Sequence, residues 1–149
     1  MPTTSTYPAL AAALKSLLTV ELGTGVTVIR GAGPKLMTKD NVMIGGVEKG
    51  SHVYPVMRAG RKPRDEQYLL IVNINCTRVG VSEPTDSEVR AFELLTALEN
   101  LLAENPGLDL GIPTLRCNME EFEADSFMED QGGWRTVIVA KILVQCRLT

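Results

Sequence analysis

The stretch QYLLIVNINCTRV, residues 67–79, decides the fold, because its side chains alternate along a β-strand with period two. One face carries Tyr68, Leu70, Val72, Ile74 and Cys76. The other face carries Leu69, Ile71, Asn73, Asn75 and Thr77, and it turns polar halfway along. We therefore predict a strand that packs one face on a helix and turns the other towards water or a partner.

The next segment has the start and stop signals of an amphipathic helix. Pro84 precedes Thr85, and Glu88 follows Thr85 by three residues, which predicts a capping box. The sequence Asn105-Pro106-Gly107 predicts the helix end. The predicted buried face consists of Val89, Phe92, Leu95, Leu98, Leu101 and Leu102. Burying six such side chains contributes about 10–15 kcal/mol before entropy is subtracted, so we expect this helix at the centre of the core.

The last third of the chain predicts an antiparallel hairpin. Leu115 to Ala124 alternates like a strand, and Trp134 to Leu148 alternates over a longer stretch. Gly132-Gly133 marks the turn into the second strand. We expect the two strands to pair through residues 125–133.

The N-terminal part predicts an arm, a helix and a strand. Residues 1–6 are small and polar, which is typical of a mobile arm. Pro8 can open a helix, leucines from Leu10 to Leu22 recur at helical spacing, and Gly23 stops the run. The short β-branched run Val26 to Arg30 predicts a strand.

The segment from Gly31 to Asp65 is irregular. It contains Gly45-Gly46 and three prolines, which are typical of turns. We expect two short strands inside it, near Val42–Ile44 and Val53–Met57.

The order α-β-(β-β)-β-α-β-β predicts an α+β fold. We expect a mostly antiparallel sheet of about four to six strands packed against two helices. At 149 residues the chain is long enough for one core. The predicted organisation is a mobile arm over residues 1–6 and a single domain over residues 7–149.

Composition excludes several classes of protein. The chain is 44% hydrophobic and 22% charged, which is ordinary globular usage. Its net charge of −3 disfavours a protein that grips nucleic acid over its whole surface. We predict no signal peptide and no membrane span. Cys76, Cys117 and Cys146 form neither a disulfide framework nor a zinc motif, so we expect reduced thiols inside a cell.

Motifs for catalysis or cofactor binding are incomplete. The glycines of Gly23-Thr24-Gly25 and of Gly31 to Lys35 complete no phosphate-loop motif, so they predict turns. His52 is the only histidine, which excludes a multi-histidine metal site. It is either a loop or edge-strand residue or the base of a small enzyme. We predict no catalytic residue, no cofactor and no metal.

Two segments of opposite charge are the candidate contact residues. The acidic residues are Glu120, Glu121, Glu123 and Asp125. The basic residues are Arg58, Arg61, Lys62 and Arg64. Either segment could be solvated, could contact a subunit, or could line a lumen. The acidic segment could instead gather a hard cation, although its spacing matches no calcium loop, and the basic segment could contact phosphate. The basic segment lacks interleaved aromatic residues, which disfavours a specific reader of nucleic acid. We hypothesise that the two segments meet on neighbouring copies, since contacts between unlike surfaces can close into rings.

The order of the elements, together with four stretches of sequence, resembles a known protein family. The four stretches are Asp65–Ile74, Glu83–Glu99, Asn105–Leu108 and the Gly-Gly-Trp134 start of the last strand. From about Tyr7 to the C-terminus, the chain resembles the tail terminator (tail completion) proteins of long-tailed bacteriophages.

The resemblance implies a structural protein without catalysis or cofactor. Such subunits assemble as hexameric rings that cap the tail tube, stop its polymerisation and present a surface to the head–tail connector or head-completion protein. The implied partners are copies of the chain, the major tail tube protein and the connector. Double-stranded DNA would pass through the lumen without sequence-specific binding. The implied location is the tail-neck region of a virion, assembled in the host cytoplasm.

Three alternatives remain open. The chain could be another neck protein, such as a head-completion or stopper subunit. It could be a small enzyme using His52, recognised by a concave pocket that holds His52 beside a carboxylate. It could also be a DNA-binding regulator acting through Arg58–Arg64, which strongly salt-dependent binding would reveal.

Overall fold

The computed structural model describes residues 5–31, 39–53, 64–129 and 132–148, which form one α+β domain. In chain order the elements are α1 (Tyr7–Leu22), β1 (Val26–Arg30), β2 (Asp40–Val53), β3 (Arg64–Arg78), α2 (Thr85–Glu104), β4 (Arg116–Met128) and β5 (Trp134–Leu148). The predicted fold class is confirmed, with two helices and five strands in the described residues.

The strands form a single mixed sheet in the order β1-β2-β3-β5-β4. β1 pairs with β2 in parallel, and the other three pairs are antiparallel. The predicted hairpin of β4 and β5 is confirmed, with Met128 opposite Trp134 at its turn end. β1 and β4 are the two edges of the sheet.

The core lies between the helices and one face of the sheet. α1 packs on β1 and β2, α2 packs on β3, β4 and β5, and the helices touch each other. The predicted inner face of β3 is confirmed, since all five side chains from Tyr68 to Cys76 on that face are buried. On the opposite face no helix covers the sheet in the described part of the chain, although Leu69 and Asn75 are buried there.

The predicted short strand near Val42–Ile44 is confirmed in place, but the observed strand is much longer. Residues 40–53 form one strand, β2, and Gly45-Gly46 and Gly50 lie at two register shifts against β3. A side chain at Gly45 would bring its Cβ within 3.1 Å of the carbonyl oxygen of Ile71. Glycine at position 45 therefore allows a bulge within the strand, and the strand continues through it. Residues 54–57 of the predicted second strand lie outside the described residues.

The predicted capping box at the start of α2 is also wrong. Pro84 takes the N-cap position, and no side chain caps the helix from there. Thr85 is already helical, so its hydroxyl is one position too late for the cap. The Glu88 carboxylate instead accepts a hydrogen bond from the Ser126 hydroxyl of β4 at 3.0 Å.

The buried face of α2 differs in part from the prediction. Leu95, Leu98, Leu101 and Leu102 are buried as expected. Val89 and Phe92 are 54% and 39% exposed, whereas Ala91 and Leu94 are buried. The helix is turned so that the smaller Ala91 approaches the sheet, which leaves Phe92 at its border.

The start of the described chain is firmly held. Ser5 and Thr6 belong to the segment for which the sequence predicts an arm, and residues 1–4 lie outside the described residues. Thr6 is fully buried, and α1 then runs from Tyr7 to Leu22 with Gly23 as its C-cap at φ 75°. The glycine adopts this left-handed conformation without strain, as predicted for a helix stop.

Candidate interaction surface

The acidic residues lie on β4, an edge strand. One side of β4 pairs with β5, and no strand in the described part of the chain pairs with its other side. All four predicted acidic residues are exposed there: Glu120, Glu121, Glu123 and Asp125. An edge strand presents unpaired backbone N–H and C=O groups to solvent, so this strand is open to a partner.

A β-bulge sets where the side chains of β4 lie. Met119 pairs with Ile142 and Glu121 with Lys141, which leaves Glu120 without a register partner. After the bulge, Phe122 lies opposite the buried Ala140 and is therefore on the helix side of the sheet. Glu121 lies on the opposite side.

A groove of about 650 Å³ runs between α2 and β4. We call it the α2–β4 groove; its lining is Glu99, Leu102 and Ala103 of α2 with residues 117–122 of β4. The rings of Phe92 and Phe122 meet edge to face beside it, with centroids 5.9 Å apart. Phe122 is 46% exposed, so the aromatic pair is open to solvent.

The carboxylates of β4 differ in their partners. The Lys141 ammonium lies 3.3 Å from a carboxylate oxygen of Glu48 and 3.4 Å from one of Glu121. Hydrogen bonds to these two carboxylates raise the pKa of Lys141, and the bond to Glu48 has the larger effect. Glu121 is therefore paired within its own chain. No cation of the described residues lies within 4.0 Å of the carboxylates of Glu120 or Glu123.

Only one of the four predicted basic residues is among the residues that the structure describes. Arg64 is the first residue of β3, half-buried and opposite Leu148. Arg58, Arg61 and Lys62 lie outside the described residues. The hypothesis that the basic and acidic segments meet on neighbouring copies remains a prediction.

His52 lies beside a buried carboxylate, which is the feature expected of the enzyme alternative. Its Nε2 is 3.6 Å from Glu66 Oε2, and both residues line a cavity of about 260 Å³ together with Ser5, Ser51 and Tyr68. The two residues sit opposite each other on β2 and β3. A carboxylate in this position could orient the imidazole for base chemistry.

The Glu66 carboxylate also stabilises the start of α1. Glu66 is 4% exposed, and its Oε1 accepts hydrogen bonds from the Thr6 amide at 2.9 Å and the Thr6 hydroxyl at 2.7 Å. Burial alone would raise the pKa of Glu66, but hydrogen bonds from Ser5, Thr6 and His52 outweigh it and lower the pKa. Glu66 is thus a carboxylate at the N-terminus of α1, where negative charge is stabilised.

A second buried acid ties α2 to the sheet. Asp40 of β2 is 8% exposed and accepts hydrogen bonds from Arg78 at 2.7 Å and Arg90 at 3.1 Å. Burial raises the pKa of Asp40, and the two arginines overcome that effect and lower it. Sequence reasoning missed this cluster, because its three residues come from three separate elements.

The thiols behave as small apolar residues, as predicted. Cys76, Cys117 and Cys146 are all buried and unpaired. Burial raises the pKa of Cys76 and of Cys117 to about 12, so both are thiols at neutral pH. Within the described ranges, no group of three or more His, Cys, Asp or Glu side chains could hold a metal ion. No helix there has the length and apolar character needed to cross a membrane.

Comparisons with known proteins show a likeness to solved structures. No protein-family model matches the chain, and no curated protein matches it. Among solved structures, a chain from the virion of a native gene transfer agent particle matches with a TM-score of 0.59 and 15% identity. The match covers 95% of this chain and 98% of that chain. At this identity the likeness establishes a shared fold over almost the whole length of both chains.

Proposed function

We propose that this chain is a structural subunit of a phage-like virion that caps the completed tail tube as a ring. The observation that carries the proposal is the fold shared, nearly end to end, with a chain of a gene transfer agent virion. The family resemblance in element order supports the tail terminator role in particular. The position would be the tail-neck region, between the tube and the head–tail connector.

The mechanism is the capping of a polymer. A tail tube grows because each ring exposes the face that the next ring binds. A terminator needs one face that matches the tube end and a second face that recruits no further tube subunit. The acidic, bulged edge strand β4 supports this role, since charge and bulges on an edge discourage the addition of unrelated strands.

The charge of the chain also suits a channel for moving DNA. Each tight phosphate contact would add salt-dependent affinity and hold the DNA back. A chain with a net charge of −3 and one short basic segment makes few such contacts. We propose that DNA passes the ring without sequence-specific binding and that no catalysis or cofactor takes part.

Deletion of the gene, followed by electron microscopy of the particles, tests the proposal. We expect tails of irregular, excessive length that are not joined to filled capsids. Tails of normal length joined to filled capsids would contradict it. Normal-length free tails beside filled capsids would instead favour the alternative of a head-completion or stopper subunit.

The His52–Glu66 pair favours a second candidate, a small enzyme. Complementing the deletion with His52→Gln separates the two functions, because glutamine keeps a hydrogen-bond donor near Glu66 but removes the base. The capping role predicts normal particles. Loss of joined particles with a folded His52→Gln protein would favour the enzyme.

A further inference from the structure

We infer that the outer edge of β4, from Glu121 to Met128, binds an extended strand of a different protein in which cationic and apolar residues alternate. The partner strand would continue the sheet beyond β4 through backbone hydrogen bonds. The inference goes beyond the proposed function and does not depend on it, because the binding can be measured on the isolated chain.

The edge has the regular geometry that strand addition needs. After the bulge at Glu120, β4 pairs with β5 without a register shift, from Glu121 opposite Lys141 to Met128 opposite Trp134. This regular stretch is longer than a common strand of about five or six residues. In the described part of the chain no strand pairs with the other side of β4. Backbone N–H and C=O groups on that side therefore point to solvent.

β4 is also uncovered on both of its faces. Every residue from Glu120 to Asp125 is exposed, and Phe127 and Met128 beyond them are 52% and 70% exposed. α2 packs on the strand, yet Cys117 is the one residue of β4 that is buried. A strand that is open on two faces and one edge leaves apolar area in water, which a partner would bury.

The two faces of the strand differ in chemistry. Glu121, Glu123 and Asp125 lie on the helix-free face, whereas Phe122 and Ala124 lie on the helix side, opposite buried residues of β5. No cation of the described residues lies within 4.0 Å of the carboxylates of Glu123 or Asp125. Cross-strand neighbours on one face contact each other. A strand beside β4 would thus meet carboxylates with every second residue and apolar groups with the others.

Charge complementarity defines the occupant. Opposite charges on neighbouring strands attract and like charges repel, so lysine or arginine would pair with Glu123 and Asp125. Apolar residues at the intervening positions would cover Phe122, which is 46% exposed. An acidic edge that discourages unrelated strands therefore admits a strand with this alternation.

The longest segment outside the described residues is too short to cover this edge. Residues 54–63 join Val53 to Arg64 and extend at most about 20 Å from the sheet. Glu123 pairs with Val139, which lies about 30 Å along β5 from the end where Arg64 pairs. The same chain therefore does not supply the occupant from this segment.

The other segments outside the described residues are also too short. Residues 32–38 join β1 to β2, and β4 lies three strands beyond β2. A path from the end of β1 to Glu123 and back to the start of β2 covers about 40 Å, whereas the connection spans at most about 29 Å. Residues 1–4 extend at most about 14 Å, and Glu66, where Thr6 is bound, is about 25 Å from Glu123.

The described strands of a second copy do not match the edge. β1 is the other edge of the sheet, and Arg30 at its end is its one cation. β4 of a second copy would place carboxylates near carboxylates. The remaining described strands are paired on both sides within their own sheet. We therefore assign the edge to a different protein.

Three synthetic peptides test the binding on the full chain. TKVKVKVT has the alternation, TEVEVEVT reverses its charges, and TKKVVVKT has the same composition without the alternation. We expect TKVKVKVT to bind at least about tenfold more tightly than the other two, because only its cations lie opposite the carboxylates. In NMR spectra of the ¹⁵N-labelled protein we expect shifted signals and slowed hydrogen exchange within residues 121–128.

Methylation of the peptide backbone separates strand addition from attraction between charges. Alternate amides of an extended peptide point to the same edge, so methylation of one alternate set leaves the other edge able to pair. Methylation of every amide leaves neither edge able to pair. We expect at least one half-methylated TKVKVKVT to bind and the fully methylated peptide to lose about tenfold or more in affinity. A fully methylated peptide that binds as tightly as the unmodified one would overturn the inference.

A charge reversal tests the named carboxylates. We expect Glu123→Lys/Asp125→Lys to bind TEVEVEVT more tightly than TKVKVKVT, with circular dichroism confirming the fold. Glu21→Lys/Glu104→Lys, exposed on the two helices, changes the net charge equally and should bind TKVKVKVT as the wild type does. Equal loss of TKVKVKVT binding in both double variants would assign the effect to net charge and contradict the inference.

Two further results would refute strand addition at this edge. One is the absence of TKVKVKVT binding at millimolar concentration. The other is self-association of the wild-type chain that slows exchange in residues 121–128 without any peptide, which would assign the edge to a second copy. Selective TKVKVKVT binding together with a normal deletion phenotype would overturn the capping function and leave the edge site standing.

Discussion

Replacement of Glu66 with alanine should destabilise the fold strongly, because the carboxylate holds the start of α1. Thr6 is fully buried, and its amide and hydroxyl both donate to Glu66 Oε1, at 2.9 and 2.7 Å. The alanine variant leaves both donors buried without this acceptor and removes the carboxylate oxygen that lies 3.6 Å from His52 Nε2. Unsatisfied buried donors and hydrogen bonds to a charged group cost about 1–3 kcal/mol each, so we expect a loss of about 3 kcal/mol.

Urea denaturation at several pH values is the assay. The pKa of Glu66 is lower in the folded protein than its ordinary value of 4.5. A depressed pKa means that the charged group contributes its full stability above the unfolded pKa and loses it as the pH falls through the folded pKa. The difference between wild type and Glu66→Ala should therefore be constant near pH 7 and shrink below about pH 4.5.

Glu66→Gln is the matched control for charge. Its amide oxygen can still accept from Thr6, so we expect it to lose about 1 kcal/mol, less than alanine loses. An alanine variant within about 0.5 kcal/mol of wild type, or a difference that grows as the pH falls, would refute the reasoning.

Three further perturbations test other parts of the structure. Gly133→Ala should cost more than about 2 kcal/mol in urea denaturation, because φ is +101° there and the added Cβ would collide with the carbonyl oxygen of Arg78. Asp40→Asn should cost about 2 kcal/mol by the same measurement, since it leaves Arg78 and Arg90 without their shared carboxylate. The thiol of Cys76 should resist a disulfide reagent at neutral pH until urea unfolds the chain, because it is buried and its pKa is about 12.

The regular elements could be predicted from the sequence because their patterns are local. The bounds of β1 and β5 are those predicted, and α1 ends at the predicted Gly23. Alternation over a strand and a glycine after a helix depend on neighbouring residues alone. The parallel pairing of β1 with β2 has no such local signal.

The prediction for β2 missed the length of the strand because of its glycines. Gly45-Gly46 suggested a turn, whereas the strand continues through them with a shift in register against β3. Glycine is needed at position 45 because the carbonyl oxygen of Ile71, on the neighbouring strand β3, comes close to it. A bulge and a turn call for the same residue, so sequence alone does not separate them.

The exposed phenylalanine of α2 shows the limit of helical periodicity. Val89 and Phe92 lie on the flank of a broad apolar arc, and the pattern does not fix which flank faces the sheet. Their exposure turns two predicted core residues into part of the candidate interaction surface. The acidic residues of β4 were identified from the sequence, but the groove beside Phe122 that Glu120 lines was not.

Hydrogen bonds between residues far apart in the sequence were not predicted. Thr6 and Glu66 are 60 positions apart, and Arg78 and Arg90 reach the same carboxylate from different elements. The sequence identified His52 as a candidate base without indicating its carboxylate partner. Only the register of β2 against β3 brings His52 opposite Glu66.

The growth of tail tubes in the presence of the purified chain tests the central claim most directly. Tube subunits of the same virion would be allowed to polymerise with and without the chain, and tube lengths would be measured by electron microscopy. We expect growth to stop once the chain is added, with a ring visible at the tube end. Tubes that lengthen equally with and without the chain would contradict the capping function.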